Sequence, residues 1–290
     1  MKYILLLTFV SVAAGFTSFK KDKSWVPLLD KNLSKWEIYQ SYRHTDDFNG
    51  KVPVNAKGDT IAPIGFNKNE ANLATLKMIN NEPVLRISGE IYGCVYTRQE
   101  FANYHLKLMV KFGDKKWIPR TTKPKDSGLL YHSKGKPGVD YWLSWMQAQE
   151  FQIMEGGFGD YWCVAATGAL IKMHNPESNN DMGIYDPKGK PTQMGLNGTR
   201  TGFVQHSADY EKPGEWNSIE LICFGDKSVH IINGHVVLAT SKMISKENGE
   251  VRPLTSGRIQ LQSEAAEVFY KDIQIKKLDS VPAEYVAYFK

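Results

Sequence analysis

Apolar and polar residues alternate along most of this chain in short runs, each closed by Gly, Pro, Asn or Asp. Residues 83–89 (Pro-Val-Leu-Arg-Ile-Ser-Gly), 104–113 and 127–132 show the period of two that a half-buried strand requires. After Trp216 the pattern is cleaner: 217–224 alternates, Gly225-Asp226 turns, 229–232 runs into Asn233-Gly234, and 236–238 continues beyond. Asn-Gly between apolar runs predicts a two-residue hairpin, because that turn needs positive φ at both central positions. Residues 258–262 and 268–278 supply two last strands. A helical period never lasts beyond about three turns; residues 70–78 are the best short helix candidate. Two polar stretches rich in Gly, Pro and Asn, 43–72 and 175–201, break the alternation and read as long functional loops. Many strands without intervening helices predict an all-β antiparallel sandwich, with residues 25–280 as a single domain.

The first residues change the picture of location. Lys2, an apolar run over residues 3–14 and the small residues Ala13-Ala14-Gly15 form a secretory signal peptide pattern over residues 1–15. A run of about twelve apolar residues is short of the ~20 that a membrane span needs. The first cysteine is Cys94, so no lipid-bearing Cys follows the cleavage site. The expected mature protein is exported, periplasmic or extracellular, and has no membrane span. The 36 basic and 31 acidic residues are interspersed and leave a net charge of +5. The densest basic cluster, Lys20-Lys21-Asp22-Lys23, is a flank, so nucleic acid is not an expected partner. Cys94, Cys163 and Cys223 lie far apart in apolar or aromatic surroundings and read as buried structural thiols.

The candidate chemistry centres on residues 149–157 (Gln-Glu-Phe-Gln-Ile-Met-Glu-Gly-Gly). On a strand, Glu150 and Gln152 share one face, and Phe151 and Ile153 point to the core. Glu155 falls on the core parity unless a bulge at Met154 returns it to the Glu150 face. The two Cα atoms would then stand ~13 Å apart at ~3.3 Å per residue, and the side chains must lean together to reach the ~5–9.5 Å carboxyl separations of glycosidases. Tyr141, Trp142, Trp145, Tyr161 and Trp162 flank the pair. Flat rings bury the C–H faces of sugars while carboxylates and amides take the hydroxyls, so this cluster predicts a saccharide cleft. His132 ends a strand just before the aromatic segment, and His206 leaves the second long loop. Each is either a structural histidine or a base or hydrogen-bond partner in the cleft. Gln260, Gln262 and Glu264 share one parity against Ile259 and Leu261, and line the same face if the register holds. The chain carries no zinc-protease pairing, phosphate loop, serine elbow or dinucleotide fingerprint.

The order and spacing of several pieces resemble one family, the 3-keto-disaccharide hydrolases. The pieces include Trp25-x-x-Leu28-Leu29-Asp30, the stretch from Leu85 to Gly93, Asp126-Ser127-Gly128-Leu129-Leu130-Tyr131-His132, Glu150-Phe151-Gln152-Ile153, Pro213-Gly214-Glu215-Trp216-Asn217, and Gly257 through Gln262. The resemblance implies a concanavalin-like jelly roll of two curved antiparallel sheets, and a carbohydrate substrate. The strand 150–155 is also similar to the Glu-x-Asp-x-x-Glu strand of laminarinase-type glucanases, with Gln152 at the Asp position.

These readings give an exported glycosidase or 3-keto-glycoside hydrolase or lyase. A 3-keto group acidifies the C2 proton, so one base and one acid suffice to eliminate the aglycone. The expected catalytic residues are Glu150, Glu155 and His132. The expected sugar contacts are Gln152, Trp142, Trp145, Trp162, His206, Gln262 and Glu264. No cofactor is assigned; a divalent ion polarising the keto oxygen would be chemically sensible, although no ligand set is legible. The alternative is a non-catalytic, lectin-like carbohydrate-binding module on the same fold. Carboxyls that converge on one sugar ring distinguish the first from the second.

Overall fold

The computed structural model describes residues 25–174, 183–196 and 202–289. The signal peptide pattern lies outside the described residues, among which no helix is long and apolar enough to cross a membrane.

Two antiparallel sheets pack face to face as a jelly roll. The back sheet runs, edge to edge, Ala74–Ile79, Glu82–Ile87, Ala266–Lys277, Tyr104–Lys116, Asn217–Phe224, Lys227–Ile232 and the first half of His235–Glu247. The front sheet runs Trp36–Gln40, Gly93–Thr97, Ser256–Ser263, Asp126–Val139, Trp145–Met154 and Tyr161–Val164, and continues through Phe203–Gln205 and its one parallel neighbour, Gly183–Tyr185, to Thr167–His174. Apolar residues of the expected parity fill the space between them: Ile219, Leu221, Ile259, Leu261, Phe151 and Ile153 are all fully buried in one cluster. The Asn233-Gly234 hairpin forms as the sequence predicts, with φ of 49° and 83° at its two central residues.

One strand belongs to both sheets. His235–Glu247 pairs with Lys227–Ile232 through residues 235–240, then with Thr167–His174 through residues 241–245. The change of sheet occurs at a bulge, where Lys242 adopts φ of 47°. Strands that turn the corner of a sandwich commonly do so at such bulges.

The structure corrects the sequence in two places. Residues 70–78 form no α-helix: a short 3₁₀ turn, Glu70–Asn72, leads into the strand Ala74–Ile79. Asn80 and Asn81, both at positive φ, close a hairpin onto Glu82–Ile87, and this long-range pairing overrides the weak local period. The loop expected over 175–201 contains two described strands, Gly183–Tyr185 and Lys190–Gly195, which pair with Thr167–His174.

Candidate functional site

On the outer face of the front sheet lies a cavity of about 350 Å³. Its floor comes from three neighbouring strands. Trp145–Met154 supplies Glu150 and Gln152, Asp126–Val139 supplies Asp126, and Ser256–Ser263 with the residue after it supplies Gln262 and Glu264. Period-two alternation explains this gathering, because the residues between them point into the inter-sheet core. Tyr141, Trp142, Trp145 and Trp162 form the walls.

A glycine makes the floor close. Gly128 sits opposite Gln152 on the adjacent strand. A Cβ built there would fall 2.4 Å from Glu150 Oε1 and 2.5 Å from Gln262 Oε1. The two polar ends thus converge over the Gly128 backbone from opposite sides.

Arg120 is the cation of the cleft. Its Nη2 lies 2.5 Å from Asp126 Oδ2, and its Nη1 lies 3.3 Å from Glu264 Oε1. Gln152 Nε2 donates to the other Asp126 oxygen at 2.8 Å. Asp126 and Glu264 therefore share one guanidinium, and Glu150 and Asp140 line the same cleft with no further cation among the described residues. Burial, reinforced by the Asp126 charge, holds both Glu150 and Glu264 well above the usual carboxylate range. Burial pushes Asp126 up to about 7, with Arg120 opposing the rise. Among the described residues no three His, Cys, Asp or Glu side chains are grouped around a point where they could together hold a metal ion. Between Asp126 and Glu264 the cation present is the Arg120 guanidinium.

The aromatic walls differ in exposure. Trp145 is buried and its Nε1 donates to the Gly93 carbonyl at 2.9 Å. Trp142 stacks on Phe48 from the 43–72 loop at 5.5 Å between ring centroids, so that loop braces the wall. Trp162 packs on Phe203 and remains 38% exposed, and Tyr141 is 50% exposed, which leaves two rings at the rim for a ligand. Cys163 also lines the cleft, and burial pushes its thiol up to about 12, so it stays protonated. All three cysteines are free thiols.

Three expected site residues stand elsewhere. Glu155 lies in the turn after its strand, where it accepts from the Lys125 backbone N–H at 2.9 Å and pairs with Lys125 Nζ at 3.2 Å. The expected bulge at Met154 is absent, so nothing turns Glu155 towards Glu150. His132 is turned inwards by a bulge of its own: the strand Asp126–Val139 carries one extra residue relative to both neighbours, and His132 adopts φ of 51° there. Its ring packs against Tyr104 and Tyr131, and burial pushes its pKa down to about 3. His206 is buried against Asp160, whose Oδ1 accepts from its backbone N–H at 2.8 Å and contacts its Nδ1 at 2.5 Å. Gln260 keeps the predicted parity but lies beneath the cleft, bonded to Ser133 and to the Met146 backbone.

The sequence reading passed over Arg120 and the acidic role of Asp126. Arg120 lies in the loop after Tyr104–Lys116, just beyond the cis Ile118–Pro119 bond, with no periodicity to mark it. Asp126 could have been found from its parity with Gly128 and Leu130 on a strand already recognised.

A two-sheet jelly roll with an acidic, aromatic-walled cleft on one sheet defines a carbohydrate-related class of protein. More narrowly, the chain belongs to the 3-keto-α-glucoside-1,2-lyase-like domain family, whose model matches residues 24–276. Among solved structures, it is similar to a candidate glycosyl hydrolase from Parabacteroides distasonis, with 18% identity, 88% of this chain and 99% of that chain covered, and a TM-score of 0.45. It is similar to the Bacillus licheniformis β-glucanase at 9% identity, covering 88% and 97% of the two chains with a TM-score of 0.41. A third likeness is to the carbohydrate-binding module CBM66 from Bacillus subtilis, at 7% identity, 70% and 92% coverage and a TM-score of 0.40. No curated protein sequence matches the chain.

Proposed function

We propose that the protein is an exported enzyme that cleaves the glycosidic bond of a 3-keto-glucoside by base-led elimination. The observation that supports this reading is the charge count of the cleft. Asp126, Asp140, Glu150 and Glu264 line it with the single guanidinium of Arg120, which pairs with Asp126 and Glu264, so at neutral pH the site holds both a protonated and an ionised carboxyl. Elimination needs that combination. The carboxylate paired with Arg120 removes the C2 proton, which the neighbouring ketone has made acidic. The protonated Glu150 donates to the departing glycosidic oxygen, the C1–O bond breaks, and a C1–C2 double bond remains. Water adds across that bond when the net reaction is hydrolysis. An Asp near pKa 7 is matched to proton abstraction at neutral pH, and a Glu held protonated is matched to acid catalysis. Glu155 and His132 take no part in this scheme, since neither lines the cleft.

The test is a panel of methyl and aryl glucosides, each in native and 3-keto form, incubated with the purified protein while aglycone release is followed. Release from the 3-keto members only is the expected result. Release from the native members alone would replace elimination with ordinary glycoside hydrolysis. Binding without release from either set would make the protein a lectin-like module and overturn the enzymatic reading.

A further inference from the structure

Gln262 is unusual among the polar groups of the cleft. Its side chain is 1% exposed and lines the cavity, yet its Nε2 and Oε1 make no well-aligned hydrogen bond, the Glu150 carboxyl beside it being the one polar group it leans on. Of the other polar groups nearby, Gln152 donates to Asp126, and both Arg120 terminal nitrogens face carboxylates. A buried amide whose hydrogen bonds are so poorly satisfied carries a desolvation cost that a ligand can relieve. An amide edge presents one donor and one acceptor side by side, so the matching ligand edge carries an acceptor beside a donor.

We propose that Gln262 is the specificity-determining residue of the cleft, reading the ketone oxygen and the C4 hydroxyl of the sugar ring together. The proposal rests on the 3-keto-glucoside reading above and deepens it. Elimination requires the C1–C2 edge of the ring to face the carboxyls. Gln262 reaches over Gly128 from the side opposite Glu150, and a ring whose C1–C2 edge faces Glu150 and Asp126 turns its C3–C4 edge to Gln262. The ketone oxygen accepts from Nε2, and the C4 hydroxyl donates to Oε1. Removing the C4 hydroxyl leaves the buried Oε1 unpaired, so the site rejects a 4-deoxy ligand.

The experiment compares parent protein with Gln262→Met on methyl 3-keto-α-glucoside and its 4-deoxy analogue. In the parent, KM for the 4-deoxy ligand should rise about 10- to 100-fold, the span of one unsatisfied buried partner. In Gln262→Met the two ligands should have equal KM, with kcat changed less than KM. Persistence of the parent's discrimination in Gln262→Met overturns the proposal. Thermal unfolding without ligand gives a second readout. Loss of an unpaired buried amide leaves the melting temperature equal or higher, whereas a marked fall would show that Gln262 has a structural role and would also overturn it. If the parent turns over no 3-keto-glucoside, the enzymatic reading fails separately. Calorimetry with methyl α-glucoside and its 4-deoxy analogue then decides the role of Gln262: discrimination lost in Gln262→Met supports it, while retained discrimination or no binding to the parent overturns it.

Discussion

The strand Trp145–Met154 has two faces with opposite rules. Inward, Phe151 and Ile153 are fully buried among apolar partners. Outward, Glu150 and Gln152 are almost as buried, at 5% and 6% exposure, but among carboxyls, amides and a guanidinium. Titratable groups on both faces are driven to their neutral forms by the same cause. Burial pushes His132 and His230 of the inner face down to about 3, and lifts Glu150, Glu264 and Asp126 of the outer face. Inside, neutrality serves packing; in the cleft, it leaves protons where an acid catalyst needs them.

The sharpest way to separate the faces is Glu150→Gln. It should lower kcat by about 10²- to 10⁴-fold, with the melting temperature unchanged or raised, as measured by aglycone release and calorimetry. Phe151→Ala, one residue away, should do the reverse. It should cost about 3–5 kcal/mol of stability in denaturant titration, while activity per folded molecule persists. Equal behaviour of the two variants would break the distinction. Gly128→Ala tests the convergence on the floor. Gly128 lies outside the left-handed region, so alanine meets no backbone strain there, but its Cβ displaces Glu150 or Gln262. A loss of about 100-fold in kcat/KM is expected from such a misplacement, with native circular dichroism.

The pH dependence of stability should also divide. The folded state keeps a proton on Asp126 up to about pH 7, whereas an unfolded aspartate loses it near the ordinary 3.8. This contribution is full at low pH and is lost as pH rises through that window. The inner histidines act oppositely: their contribution is full above the ordinary imidazole value of 6.5 and is lost as pH falls towards about 3. Asp126→Asn should flatten the decline from pH 4 to 7 in denaturant titrations, and His230→Gln should flatten the loss on the acid side. The smallest effect belongs to Glu155→Gln. Its exposed pair with Lys125 should be worth no more than about 0.5 kcal/mol, and turnover should stay within about twofold of the parent.

Parity made much of this legible in advance. Glu150, Gln152, Gln262 and Glu264 could be placed on one face because the chain alternates cleanly around them. Two kinds of information lay outside that pattern. One is a bulge: a single extra residue at His132 rotates an imidazole from the cleft side into the core, and no local residue type announces it. The other is distance in sequence. Arg120 meets Glu264 across 144 positions, from a loop without period. Glu155 failed for the converse reason, because its strand ends at Met154 and the turn hands its carboxylate to Lys125.

The strand His235–Glu247 gives the sandwich a mechanical property. Because it is hydrogen-bonded to the back sheet along its first half and to the front sheet along its second, the sheets are riveted at one corner and cannot slide past one another without tearing a ladder. The curvature of the front sheet, and with it the spacing of the cleft floor, is thereby held by the backbone. Ligands of this cleft meet a mould rather than a clamp, and even the half-exposed rings of the rim are braced, Tyr141 by the Phe48 carbonyl and Trp162 by the Phe203 ring.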